Sequence, residues 1–218
     1  MNKETQRKIE IAEKATERYL KNRRFTIQSL AEEAGVTSKD IFEFFPNRRS
    51  ILQFYYESRI VLYQEQKNSI DSYSDFSLRE KLSNLFLTML DLFSEQREFV
   101  LETYKEFVVT NPMDKRFENS FREEIKHIFQ SDNRVSISSR FLLNQITYAI
   151  FYYHFHALIL FWSKDTSRGR EQTYALVDKW CSFVEEFFYS KIADKGFDLA
   201  KFLFYHSPLK GIIPDLKR

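Results

Sequence analysis

Apolar residues recur every three to four positions along most of this chain, with polar residues between them, the signature of amphipathic helices. Ile9, Ala12, Ala15 and Tyr19 form one stripe of a helix predicted over residues 3–23. Two short periodic segments follow at 27–34 and 38–45. Asn47 reads as the N-cap of a long helix reaching about residue 70, with Ile51, Leu52, Tyr55, Tyr56 and Ile60 apolar. Ser77 and Glu80 make a capping box ahead of the apolar run "LREKLSNLFLTMLDLF". Further helices are predicted at 97–110, at 113–131 behind Pro112, at 138–163, at 168–193 and at 197–205. Only eight residues are Gly or Pro, too few for a β-rich chain that must turn often, so the expected fold is all-α.

One stretch breaks the rhythm of long helices: "TIQSLAEEAGVTSKDIFEFFPNRRSIL", Thr26 to Leu52. Thr26 can cap a helix whose inward face is Ile27, Leu30 and Ala31. Gly35 falls just past its end, where a left-handed residue stops a helix at low cost. Thr37 caps a second helix, and Asp40 three residues on completes a T-x-x-D box. Val36 fills the corner, while Ile41, Phe44 and Phe45 face back toward the first helix. Helix, tight turn and helix at a steep angle is a helix-turn-helix unit. Arg48 and Arg49 then open the next helix, where its positive dipole end disfavours cations by roughly 0.3–1 kcal/mol, so an anion partner is expected.

These words, with one helix before and a long one after, resemble the DNA-binding domain of the tetracycline-repressor (TetR) family of bacterial transcription regulators. The likeness implies a three-helix DNA-binding domain over residues 1–46 and a helical effector-binding and dimerisation domain over 47–218. It implies that the helix opening at Ser38 enters the major groove of double-stranded DNA, with Thr37, Ser38 and Lys39 at base edges or nearby phosphates. Thr26 and Gln28 are placed for backbone contacts, Arg48 takes the position of a phosphate-contacting lysine, and Arg49 replaces a usual acid and can add a second contact. Phe42 stands where the family usually has Tyr, so packing remains and a hydroxyl is lost. Glu43 is acidic on a helix expected to approach phosphate.

Nearly every position from Phe141 to Trp162 is apolar or aromatic, and a helix apolar on all sides must be covered on all sides. The resemblance implies a homodimer built from the last two long helices. Tyr153, His156, Leu160, Leu176, Trp180, Val184 and Phe187 are the interface candidates. It also implies a cavity for an apolar small-molecule effector, with Phe86, Met89, Leu90, Phe93, Tyr104, Phe107, Phe151 and Phe155 as wall residues; the same residues suit a packed core.

Composition narrows the functional classes. Residues 1–60 carry 12 Lys/Arg against 9 Asp/Glu and the rest 21 against 22, a modestly basic module on a near-neutral body. The lone Cys181 precludes an intrachain disulfide, and its aromatic neighbours suit an inert buried thiol. No apolar leader opens the chain, and the run Ile146–Trp162 is short for a membrane span and holds two histidines, so a bacterial cytoplasmic location is expected, with no membrane partner. His154 and His156 point about 200° apart on a helix and cannot share a metal. No nucleotide-binding or hydrolase motif occurs, so no enzyme activity, metal or cofactor is expected. The predicted function is a ligand-released repressor acting on a palindromic operator. The alternative is a helical enzyme or hydrophobic-ligand carrier, which leaves the helix-turn-helix without a role.

Overall fold

The computed structural model describes residues 1–110, 114–190, 195, 196, 198, 199 and 202, and among these the chain is all-α. Helix α1 (Lys3–Lys21) is followed by α2 (Ile27–Ala34), α3 (Ser38–Phe44) and α4 (Arg48–Asn68). Then come α5 (Leu78–Ser94), α6 (Arg97–Tyr104), α7 (Arg116–Gln130), α8 (Ile137–Leu142), α9 (Gln145–Lys164) and α10 (Glu171–Tyr189).

Side-chain caps set most of the starts. Thr26, Thr37, Asn47 and Ser77 each accept the N–H of the residue three positions on, and that residue's side chain reaches back to the cap N–H. Each box satisfies two backbone donors that the helix itself leaves open. Asn2, Ser136 and Asn144 cap in the simpler one-way manner.

Helix α4 is the spine. Its first turns bury Ile51 and Leu52, while Tyr55, Tyr56, Ile60 and Tyr63 lie at 0–1% exposure along the rest. α1 packs against α4 and α2, while α5 and α7 pack against α4 further along. α10 lies along α5, and α9 lies against α7. The centre of the body is a cluster of rings: Phe121 and Phe155 stack at 4.7 Å between centroids, Phe86 and Phe155 at 6.1 Å, and Phe93 and Phe117 lie at 6.3 Å. Each fully buried ring contributes about 1.5–3 kcal/mol through burial alone, so this cluster is a main source of cohesion.

Three departures from the periodicity have local causes. The helix expected over 138–163 is two helices, because the Asn144 side chain accepts from the N–H groups of Ile146 and Thr147 and starts α9 afresh. The helix expected over 97–110 widens into a π-helical turn at Lys105–Val109. The segment expected over 168–193 begins with a short turn at Arg168–Arg170, where Gly169 and Arg170 take positive φ, and α10 starts only at Glu171. The expected start at Pro112 lies outside the described residues, as does most of the helix expected over 197–205.

Candidate nucleic-acid interface

The turn between α2 and α3 is built from backbone geometry. Gly35 sits at φ 65°, ψ 33°, and its N–H donates to the Glu32 carbonyl at 3.3 Å. The Val36 N–H reaches the Ala31 carbonyl at 3.0 Å, closing the helix end. Apart from Gly35 and its two chain neighbours, no atom of the described residues lies within 4 Å of where a Cβ on Gly35 would sit. Backbone conformation, and not lack of room, is what asks for glycine there. Beneath the turn Leu30, Ala31 and Ile41 are buried, as are Phe25, Phe45 and the α1 residues Ile11, Ala12 and Ala15.

Thr37 and Asp40 hold the start of α3. The Asp40 carboxylate accepts the Thr37 N–H at 2.8 Å, and the Thr37 hydroxyl accepts the Asp40 N–H at 3.1 Å. These bonds to Thr37 keep the Asp40 carboxyl below its ordinary range. Asp40 is thereby occupied by its own helix. Outside the cap, Thr26, Gln28, Thr37, Lys39, Phe42 and Glu43 are exposed and Ser38 is half-buried. Phe42 is 55% exposed, a bare ring on the outer face of α3. Glu43 is exposed too, so the acid expected to oppose phosphate does face solvent.

The arginine pair divides. Arg48 is half-buried, donates to the Phe25 carbonyl at 3.1 Å and lies 5.4 Å from the Phe25 ring centroid. It therefore braces the corner between α1 and α2 while keeping guanidinium donors to spare. Arg49 points toward the body: it donates to the Glu106 carboxylate at 2.5 Å and lies 4.9 Å from the Phe107 ring. The expectation that both arginines wait for an external anion thus holds in neither case without change, because the fold supplies each with a partner of its own.

Glu106 belongs to a junction that the sequence did not announce. Glu102, one turn earlier, accepts the Tyr19 hydroxyl at 3.0 Å and pairs with Arg23 at 2.8 Å. Two acids one turn apart thus engage both α1 and α4. Deeper in the same junction the Arg59 side chain, fully buried, reaches Glu13 of α1 at 2.7 Å and Glu95 at 3.4 Å. Its guanidinium lies 4.4 Å from the Tyr55 ring. The partners are 36 to 83 residues apart in sequence, so no local spacing could reveal them.

The aromatic residues expected to wall a cavity are mostly filled space. Phe86, Met89, Leu90, Phe93 and Phe155 are 0–1% exposed, and Phe151 is 3% exposed. Phe107 borders only a small crevice beside Tyr56 and Phe117. Tyr104 faces a sizeable opening, an apolar groove of about 440 Å³ between α6 and α9 flanked by Val100, Leu101, Ile159 and Leu160. Tyr104 and His156 share a hydrogen bond of 2.6 Å on its wall. Burial pushes the His156 imidazole down to about 4 and the Tyr104 phenol well up, so both are neutral near pH 7.

The residues expected at a dimer contact fall into two groups. On α9, Tyr153 and Leu160 are bare at 65% and 59% exposure, and Ile146, Ile150 and Ala157 continue the same stripe at intervals of three and four. His156 is half-buried at its edge. On α10 the picture differs, because that helix turns its apolar side onto α5. Val184 is buried within its own chain, Leu176 and Phe187 are half-buried, and Trp180 stacks on His154 with centroids 3.8 Å apart. The exposed rings on α10 are Phe183, at 64%, and Tyr174, at 41%, and neither is among the expected interface residues. Cys181 is fully buried, and burial raises its thiol to about 12.

Residues 81–203 match the family described as "Tetracyclin repressor-like, C-terminal domain". The fold is shared with a solved TetR transcriptional regulator from Nitrosomonas europaea ATCC 19718, at a TM-score of 0.60 and 13% sequence identity. That likeness covers 81% of this chain and 96% of the other. No curated protein matches the sequence.

Proposed function

We propose, from the premise that this chain belongs to the tetracycline-repressor-like family, that it is a DNA-binding regulator which represses transcription until a small molecule releases it. The observation that carries this reading is the start of α3. Two capping boxes and a left-handed glycine hold Thr37, Ser38 and Lys39 rigidly on an outer corner, where the side chains of Lys39 and Phe42 are exposed and make no hydrogen bond or ion pair with any described residue. Residues at the N-terminal end of a recognition helix are the ones that reach base edges in the major groove.

In this reading Thr37, Ser38 and Lys39 meet bases, with Lys39 favouring guanine. Phe42 packs on a thymine methyl or a sugar, while Thr26, Gln28 and Arg48 hold the phosphates on either side. Arg49 serves the junction with the body and adds at most a secondary contact. Two copies associate through the bare α9 stripe, giving a homodimer whose recognition helices span about 34 Å, one turn of duplex. The operator is then palindromic.

An apolar or amphiphilic effector suits the groove over Tyr104 and His156. That groove borders α6 and the π-turn, which carry Glu102 and Glu106, so displacing them moves α1 and α4 together. An effector preferring the displaced state by about 3 kcal/mol weakens DNA binding by up to roughly a hundredfold. Among the described residues no helix is long and apolar enough to cross a membrane. Selection of bound sites from random duplex DNA tests the reading, with light scattering for the dimer. A recovered palindrome is expected; a dimer with no DNA preference at any salt concentration would support a hydrophobic-ligand carrier instead.

A further inference from the structure

A second opening lies at the far end of α4 from Arg48. It is a cavity of about 600 Å³ where the last turns of α4, the segment after it, α5 and α7 meet. Its size falls within the usual range for small-molecule sites. Unlike the groove over Tyr104, its walls are polar and charged, with Gln64, Lys67, Tyr73, Lys81, Glu124 and His127 among them.

The charges in it do not cancel. Glu124 is 2% exposed and fully engaged: Lys67 Nζ donates to it at 2.6 Å and Gln64 Nε2 at 3.1 Å. Lys67 is further held by the rings of Tyr63 and Tyr73, at 5.6 and 5.8 Å. Lys81 also is 2% exposed, yet its side chain makes no hydrogen bond or ion pair with any described residue. Lysine is almost never buried to this degree unless it is paired. With Lys67 matched to Glu124, the lysine left over is Lys81, whose positive charge is carried on a side chain that borders the cavity.

We infer that this cavity is a binding site for a small monoanionic carboxylate, with Lys81 as its counter-ion. The site goes beyond the regulatory reading above, because it is a different place with different chemistry and stands or falls on binding alone. The charge count selects the class. One carboxylate neutralises Lys81, whereas a doubly charged phosphate would bring excess negative charge against the buried Glu124. The carbonyl oxygen of the Gln64 amide and the imidazole of His127 border the same space and can meet polar groups on the ligand body.

The test is calorimetric titration of the full chain with butyrate and benzoate, with butyramide and benzamide as neutral counterparts, and with inorganic phosphate. At least one carboxylate is expected to bind at one site per chain and ten- to hundredfold more tightly than its amide, the usual worth of a charge-assisted hydrogen bond. Lys81→Met, which keeps the buried stem, should remove that preference. Glu124→Gln should tighten carboxylate binding about tenfold by freeing Lys67, a gain that a poorly folded variant cannot imitate. Equal affinity for acid and amide, unchanged binding by Lys81→Met, or no gain in Glu124→Gln would each overturn the proposal. Phosphate binding more tightly than either carboxylate would overturn the monoanion assignment. A gel-shift on the same samples keeps the outcome separate from DNA binding, which Lys81→Met should leave unchanged.

Discussion

Arg59 is the side chain whose loss should be felt most widely, because one buried guanidinium joins three helices. It is completely buried, donates to Glu13 on α1 at 2.7 Å, lies 3.4 Å from Glu95 and packs 4.4 Å from the Tyr55 ring centroid. Its Nε and one terminal nitrogen also reach Ser58 Oγ at 3.3 and 3.2 Å. Breaking a buried ion pair can cost 3–5 kcal/mol, but Glu13 and Glu95 are 37% and 58% exposed and can recover water. The Glu13 bond is therefore reckoned at only about 1 kcal/mol and the long Glu95 contact at a few tenths. The desolvated cation–π contact adds about 2 kcal/mol. Burial of the aliphatic stem adds about 1 kcal/mol. Arg59→Ala should thus destabilise the protein by about 4 kcal/mol, and Arg59→Met, which restores the stem, by about 3 kcal/mol. Urea unfolding followed by the fluorescence of Trp162 and Trp180 measures both, and a double-mutant cycle with Glu13→Gln isolates the α1 link. A loss below about 1 kcal/mol for Arg59→Ala, or a zero coupling to Glu13, would refute the claim that this residue holds α1 to the body.

Four other predictions bear on the interface and its pH range. Gly35→Ala should cost about 1–2 kcal/mol, since the Cβ meets no atom beyond its chain neighbours but the left-handed backbone is strained, and Gly35→Asn should cost less; thermal unfolding separates them. Lys39→Ala should relax base preference at one or two positions by about 1–3 kcal/mol in site selection while leaving stability unchanged. Arg48→Ala should weaken binding across all sequences, flatten its salt dependence and lower stability through the lost bond to Phe25, a combination Lys39→Ala cannot give. Burial lowers the imidazoles of His154 and His156 to about 4 from an ordinary 6.5. The unfolded chain then binds more protons between these values, so the stability is fully present above pH 6.5 and is lost as pH falls toward 4. After allowance for partial solvent screening each histidine should withdraw about 1–2 kcal/mol by pH 5, and His154→Gln should flatten that slope in urea titrations at several pH values.

The helix-turn-helix was legible because each of its signals acts over a few residues. A capping box spans three positions, a left-handed glycine acts on its own φ, and the inward stripe of α2 follows from helical spacing. The same locality explains how the starts at Thr26, Thr37, Asn47 and Ser77 could be read before any contact was known. Where a cap competes with an apolar run, reading by run alone fails: Asn144 divides a stretch whose hydrophobicity continues across it.

What the chain settles by itself, then, is which backbone segments are helical, where they stop, and which faces are apolar, because those depend on neighbours at covalently fixed distances. What covers each face depends on segments tens of residues away, and only the folded chain decides it. Periodicity marks Phe86 and Phe155 as apolar but does not distinguish cavity wall from close-packed core; the packing of α5 against α7 and α9 makes them core. It marks α10 as amphipathic, but the docking of α10 on α5 turns Val184 inward and leaves Phe183 bare. Arg49 is one of two similar arginines until Glu106, 57 residues on, claims it. Lys81, in "LREKL", reads as an ordinary surface lysine; the meeting of α4, α5 and α7 buries its stem and leaves its charge without a partner, because tertiary packing places side chains by shape and area while charge neutrality must be found afterwards.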